Sequence, residues 1–289
     1  MPREGLRSWA QSIGIHGVGY YLGKLNFTRK IHVDGAEMKI PWIRGITCNS
    51  SEPWMNDLLS LLLKIQSGVF LDAGVNVGQT LIKVKALDPS REYLGFEPNP
   101  ACVFYVLDLI QENNFKNCTL LPVGLYTEDC ILPLDLFSDD ITDSMGSLID
   151  NFRPERKVYS RIFVPVFRYD SLAKLVSRSC VGIVKIDVEG SELEVIKSLL
   201  KVIERDRPII LVEVLPAYPD DNFQRRMNRQ GELEHIFTDV NFAILRVEKT
   251  NINTFSGLRQ IEKFGIHTDS TMCDYVIVPN EKLANLKTA

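Results

Sequence analysis

A chain of 289 residues, 45% hydrophobic and 24% charged, is long enough for one large α/β domain or two small ones around a real core. Its net charge of −4 and pI near 5.7 argue against a protein built to cover nucleic acid, so no nucleic-acid partner is expected. No stretch reaches the ~18 consecutive apolar residues of a membrane span, no signal peptide is apparent at the start, and six cysteines without CxxC or zinc spacing read as thiols of a reducing, cytoplasmic compartment.

In chain order, residues 1–67 read as an N-terminal cap. Trp9 to Leu25 has loose helical spacing, and KIHVDGAEMKI (30–40) carries a hairpin signal at Asp34-Gly35. Ser51-Glu52-Pro53 is a helix start, and WMNDLLSLLLKIQ runs from it to a stop near Gly68. From residue 69 the rhythm becomes strand–helix: VFLDAG, then QTLIKVKAL; EYLGFEP, then ACVFYVLDLIQENN; and CTLLPVGLY (118–126) as a third strand. VGIVKIDVEG precedes the helix SELEVIKSLLKVIE, and IILVEVL (209–215) precedes the helix QGELEHIFTDV (230–240). FAILRVE and CDYVIVP close the set. Strands that alternate with helices, and are Val/Ile/Leu-rich throughout, predict a mostly parallel sheet buried on both faces. Residues 68–280 are expected to form this Rossmann-like domain and 281–289 a tail. Residues 127–180 interrupt the pattern. ILPLDLF and RIFVPVFRY read as extra strands around a polar loop, an insertion over the carboxyl ends of the strands and beside the substrate.

The turn DAGVNVG after the first strand of this domain removes side chains where a ligand meets the backbone at a helix N-terminus. It lacks two of the three glycines of the dinucleotide fingerprint, and Asp72 would oppose a diphosphate. S-adenosylmethionine has no phosphate and carries an ammonium and a sulfonium, so an acid at the strand end suits it better. Glu97, 25 residues after Asp72, can accept hydrogen bonds from ribose hydroxyls, a device shared with NAD enzymes.

DAGVNVGQT, GFEPNP and KIDVEGSELEVI together resemble the FkbM family of S-adenosylmethionine-dependent methyltransferases, over roughly residues 68–280. The resemblance implies a class I methyltransferase fold with a seven-stranded, mostly parallel sheet whose last strand is antiparallel. It implies Asp72, Gly74, Asn76 and Gly78 around the methionyl part, Glu97 on the ribose, Asn99 near the adenosine and Gly124, in GLYTED, near the adenine. It also implies methylation of a hydroxyl on a sugar, glycan precursor or secondary metabolite, with a small-molecule or glycan acceptor as partner.

At the reacting end, Lys185, Asp187 and Glu189 follow the fourth strand at i, i+2 and i+4, and Glu213 closes its neighbour. Three readings stay open. One carboxylate is a general base with a pKa raised by burial and like charge. Alternatively Asp187, Glu189 and Glu213 hold a divalent cation. Or they form an internal ion network with Lys185 neutralising Asp187. His267, just before the last strand, is a further candidate, and the small polar stretch SMGSL (144–148) could line an acceptor pocket. His235 reads as a surface residue. Trp9, Trp42 and Trp54 read as core or as a stacking platform for a sugar. A nicotinamide-linked oxidoreductase and a non-catalytic nucleoside-binding module are the alternative functions. Oligomeric state is not legible.

Overall fold

The computed structural model describes residues 26–287 apart from 174, 177, 178 and 218–221. Trp9 and the helix expected over Trp9–Leu25 lie outside these residues. The described chain begins with a hairpin of β1 (Phe27–Val33) and β2 (Ala36–Ile43), with Val33 opposite Ala36. Asp34 and Gly35 form the two-residue turn at positive φ, 49° and 82°, as the Asp-Gly signal predicts. A short β3 (Ile46–Thr47) extends this small sheet. Helix α1 (Pro53–Ile65) follows, with Pro53 in its first turn. Ser51 does not cap it: the residue before the helix is Glu52, in the left-handed region at φ 56°. Trp54, Met55, Leu58, Leu59, Leu62 and Leu63 form its buried stripe at helical spacing. Each such side chain stabilises the fold by about 1.5–3 kcal/mol relative to exposure.

The strand–helix units then appear in the expected order: β4 (Val69–Ala73), α2 (Gln79–Leu87), β5 (Tyr93–Phe96), α3 (Pro100–Asn113) and β6 (Cys118–Leu121). Next comes β7 (Gly124–Leu125), and the insertion supplies β8 (Cys130–Leu136) and β9 (Ser160–Phe167), followed by a helical turn, α4 (Tyr169–Leu172). The units resume with β10 (Val181–Ile186), α5 (Glu192–Asp206), β11 (Ile209–Glu213), α6 (Phe223–Asp239), β12 (Phe242–Lys249), β13 (Phe255–Ile261) and β14 (Asp274–Pro279). A last short helix, α7, spans Leu283–Lys287.

Among the described residues the central sheet has eight strands in the order β13-β12-β14-β11-β10-β4-β5-β6. β14 runs antiparallel to both β11 and β12, as the expected last strand. The expected count of seven is exceeded by β13, an antiparallel edge strand on β12. Its half-exposed Gly- and Arg-containing sequence, FSGLRQI, lacks the apolar run of the central strands. The third strand, expected over 118–126, is split. β6 stops at Leu121, and Gly124–Leu125 leaves to pair with β9 in a separate sheet ordered β7-β9-β8. Helix α6 begins at Phe223, well before the expected Gln230, because its first turns carry polar residues that hide the apolar period.

Every residue of β10 is buried. One face of the central sheet packs with α1, α2 and α3 and the N-terminal hairpin, through Phe70, Tyr93, Ile183 and Leu211. The other face packs α5 and α6, through Leu71, Val184, Ile196 and Leu233. No helix among the described residues is long and apolar enough to cross a membrane.

Candidate functional site

A cavity of about 400 Å³ opens at the carboxyl ends of β4, β5, β10 and β11, within the usual size of a small-molecule site. The crossover from β4 to α2 forms one wall. Gly74, Asn76 and Gly78 all take positive φ there, at 88°, 48° and 83°. A Cβ on Gly74 would stand 1.9 Å from the Asp187 carbonyl oxygen, so this glycine lets two strand ends close on each other. Gly78 does not line the cavity: a Cβ there would meet Leu109 Cδ2 at 2.7 Å, which makes it a packing glycine between α2 and α3. Gly74, Asn76, Gln79 and Thr80 do line it.

Glu97 follows β5 and is 6% exposed. Its Oε2 accepts the Asn76 N–H at 2.7 Å and its Oε1 accepts the Asn99 N–H at 2.8 Å. Each oxygen therefore keeps a second lone pair, and the carboxylate lines the cavity. Burial pushes this carboxyl up to about 7, against the lowering effect of the two backbone donors. Asn99 uses Oδ1 to cap α3 at Ala101 N–H and donates Nδ2 to the Ile141 carbonyl, 2.8 Å. Asn76 Nδ2 likewise donates to the Thr142 carbonyl, 3.3 Å. Both asparagines expected around the cofactor therefore also hold the insertion against the crossover. Leu134, Asp143, Ser144, Gly146 and Leu148 bring the insertion to the cavity wall, the SMGSL stretch among them, and Gly124 lines it just before the insertion begins.

Around the carboxyl ends of β10 and β11 the chain gathers Lys185, Asp187, Glu189 and Glu213, all of which line the cavity. Lys185 Nζ lies 3.1 Å from Asp187 Oδ2 and 3.7 Å from Asp72 Oδ1. Despite burial, Lys185 holds Asp187 below the usual carboxylate range, and Asp187 with Asp72 keeps Lys185 charged. Glu189 sits at φ 52°, a costly position for a residue with a side chain, and is ion-paired to Arg153 from the insertion. Burial, then the neighbouring Asp187 charge, raises Glu189 to about 7. Ser147 Oγ donates to the Glu189 carbonyl at 2.7 Å, a second tie between the insertion and this loop. Glu213, raised to about 10 by burial and the Asp187 and Glu189 charges, keeps its proton and shares a hydrogen bond with Asp187.

Three expected site residues fall elsewhere. Asp72 is fully buried and outside the lining, and Tyr93 OH donates to its Oδ2. Gly78 packs helices, as above. His267 is not among the lining residues; its backbone N–H reaches the Ala217 carbonyl, 3.3 Å away. Trp54 is buried beneath Lys249, whose Nζ lies 4.2 Å from its ring centre, and Trp42 stacks on Phe27. Neither tryptophan lines the cavity as a sugar platform. His235 is exposed beside Asp239, as expected. Arg153, Asp143 and Glu52 were not legible as site residues. The first two sit in the polar insertion, and Glu52 looked like the start of a helix.

A divalent cation is a poor fit. Carboxylate oxygens of Asp187, Glu189 and Glu213 do lie within 4.8 Å of one another. Asp187 and Glu189 are, however, already paired with Lys185 and Arg153, cations that would compete with a metal for the same oxygens. At the other wall Glu97 presents to the cavity a carboxylate with unused lone pairs.

With that geometry in place, the comparisons decide the family. The model of the methyltransferase FkbM domain matches residues 72–260, more than half of the chain. The chain belongs to the FkbM methyltransferase family. Methyltransferase 1 of Beauveria bassiana is 29% identical over 143 residues, which cover 45% of this chain and 57% of that relative. The FkbM chain thus spans less than two thirds of the length of the curated relative it matches. Among solved structures, the methyltransferase FkbM from Methylobacillus flagellatus aligns at 13% identity and TM-score 0.45, covering 73% of this chain and 43% of the other. The precorrin-6y C5,15-methyltransferase of Geobacter metallireducens aligns at 14% identity and TM-score 0.39, covering 77% and 85%. The FkbM motifs carry the cavity wall: GFEPNP supplies Glu97 and Asn99, and KIDVEG supplies Lys185, Asp187 and Glu189.

Proposed function

We propose that this FkbM protein transfers the methyl group of S-adenosylmethionine to a hydroxyl of a small molecule, of the sugar, glycan-precursor or secondary-metabolite kind. The observation that carries the reading is the Glu97 carboxylate, fixed by two backbone N–H groups with one lone pair of each oxygen left for a vicinal diol. When bound, the cofactor supplies a methyl group on a sulfonium. The chain's own residues do the rest. Glu97 grips the ribose hydroxyls, and Gly74 with the start of α2 receives the methionyl end. Asp187, fixed by Lys185, accepts a hydrogen bond from the acceptor hydroxyl and orients it. Glu189, near its midpoint at neutral pH, takes the hydroxyl proton, as suits a general base. The insertion shields the reacting atoms from water, and alignment contributes much of the acceleration.

Calorimetry with S-adenosylhomocysteine and with NADH tests the donor. Binding of the first and not the second is expected; the reverse outcome would sink the reading in favour of a nicotinamide enzyme. Charged hydrogen bonds contribute about 1.5–3 kcal/mol each, so Glu97→Gln is expected to weaken S-adenosylhomocysteine roughly 10-fold or more.

The same carboxyl sets a pH dependence. Ribose hydroxyls donate to the ionised form, and Glu97 ionises at about 7 in the free protein. Below that value a proton must leave before the diol binds. Affinity should therefore fall roughly tenfold from about pH 8 to about pH 6, and the Glu97→Gln variant should lose that slope. Isotherms of both proteins across this range provide the check.

A further inference from the structure

The acid that closes β4 has no contact with the cavity and still carries a specific arrangement. Asp72 is fully buried. Its strand partner in β10 is Lys185, so the two side chains share one face of the sheet. Tyr93 OH donates to Oδ2, which orients the carboxylate, while Oδ1 faces Lys185 Nζ at 3.7 Å. The same ammonium donates to Asp187 Oδ2 at 3.1 Å. Tyr93, Asp72, Lys185 and Asp187 thus form one line from the buried face of the sheet to the cavity.

We propose that Asp72 is a positioning residue for the acceptor end of the site, acting through Lys185 on Asp187, and that it is not a ligand of the methyl donor. The proposal rests on the methyl-transfer reading above. A lysine side chain has many rotamers, and one carboxylate would leave its ammonium free to swing. The hydrogen bond to Asp187 and the pull of Asp72, whose Oδ1 stands 3.7 Å off without a hydrogen bond, together restrain Nζ, and so Asp187. The groups facing Asp187 are Lys185 on its own strand, Asp72 on β4, Glu213 on β11 and Glu189 in the following loop. Asp274 on β14 and Glu52 before α1 act on them from farther away.

The test is a double-mutant cycle. Asp72→Asn is expected to lower kcat roughly 100-fold, the cost of a misplaced reacting group, with S-adenosylhomocysteine affinity by calorimetry changed less than about threefold. In a Lys185→Met background the same substitution should cost less than about twofold, because the residue it acts through is gone. Weakened S-adenosylhomocysteine binding with kcat preserved at saturation would make Asp72 a donor ligand and overturn the proposal. So would an equal kcat loss in both backgrounds. If Asp72→Asn does not fold, Tyr93→Phe reads the same link. It should lower kcat in the wild-type background and not in Lys185→Met, and an equal loss in both overturns the proposal. A wild-type chain that does not bind S-adenosylhomocysteine defeats the methyl-transfer reading itself, whereas binding with a failed cycle defeats only the role of Asp72.

Discussion

Glu189→Gln is expected to reduce kcat by roughly 10²–10⁴, the usual range for a lost general base, with S-adenosylhomocysteine affinity unchanged. The substitution keeps size and hydrogen-bonding shape and removes only the ability to take a proton. Burial and the Asp187 charge raise Glu189 to about 7. The base works only when ionised, so kcat at saturating donor and acceptor should fall as pH drops through about 7. The variant should lose that limb along with the rate. The ion pair with Arg153 gives a second handle: without that cation the carboxyl loses a stabilising charge, so Arg153→Ala should move the limb to higher pH. Initial rates of methyl transfer across the pH range provide the measurement. Full wild-type rates in Glu189→Gln would remove Glu189 from the reaction.

Gly74→Ala should be the most damaging single-methyl substitution at the site. The new Cβ would lie 1.9 Å from the Asp187 carbonyl oxygen, which is backbone and cannot rotate away. The residue also sits at φ 88°, where a side chain is strained. Left-handed strain of about 1–2 kcal/mol and overpacking of about 1–3 kcal/mol together imply a loss on the order of 4 kcal/mol. Relief requires β4 and β10 to separate at their carboxyl ends, and that movement would carry Asp187 away from its place. Chemical denaturation should show the lost stability, and calorimetry the lost S-adenosylhomocysteine binding. A variant with wild-type stability and affinity would show that the close approach of the two strand ends is not required.

The central architecture was legible because its strands are short apolar runs ended by glycine or acid, and its helices carry regular apolar stripes. VGIVKI reads as a doubly buried strand and is one. What failed did so for physical reasons. β13 is an edge strand that buries little, so nothing forces an apolar pattern on FSGLRQI. Residues 118–126 are a continuous β-prone run, and only three-dimensional pairing with β9 shows that the chain changes sheet after Leu121. At the cavity, Gly74 and Asn76 after β4 and Glu97 and Asn99 after β5 line the wall, and both turns have a local signature in the sequence. The burial of Asp72 between Lys185 and Tyr93 was not legible, because alternation along a five-residue strand does not reveal its neighbours and both contacts are long-range. The Arg153–Glu189 pair was invisible for the same reason, since it joins a polar loop to a loop 36 residues away.

The insertion is tied to the crossover by side-chain amides of Asn76 and Asn99 that bond to main-chain carbonyls, those of Thr142 and Ile141. Main-chain oxygens are present whatever amino acid occupies a position. These two ties do not depend on which side chains residues 141 and 142 carry, whereas the turns around them do: Asp140 accepts from Thr142, Asp143 accepts the Phe137 and Met145 N–H groups, and Ser147 donates to the Glu189 carbonyl. Variation of the proposed acceptor pocket therefore belongs at Ser144 and Leu148, which line the cavity and take no part in these bonds.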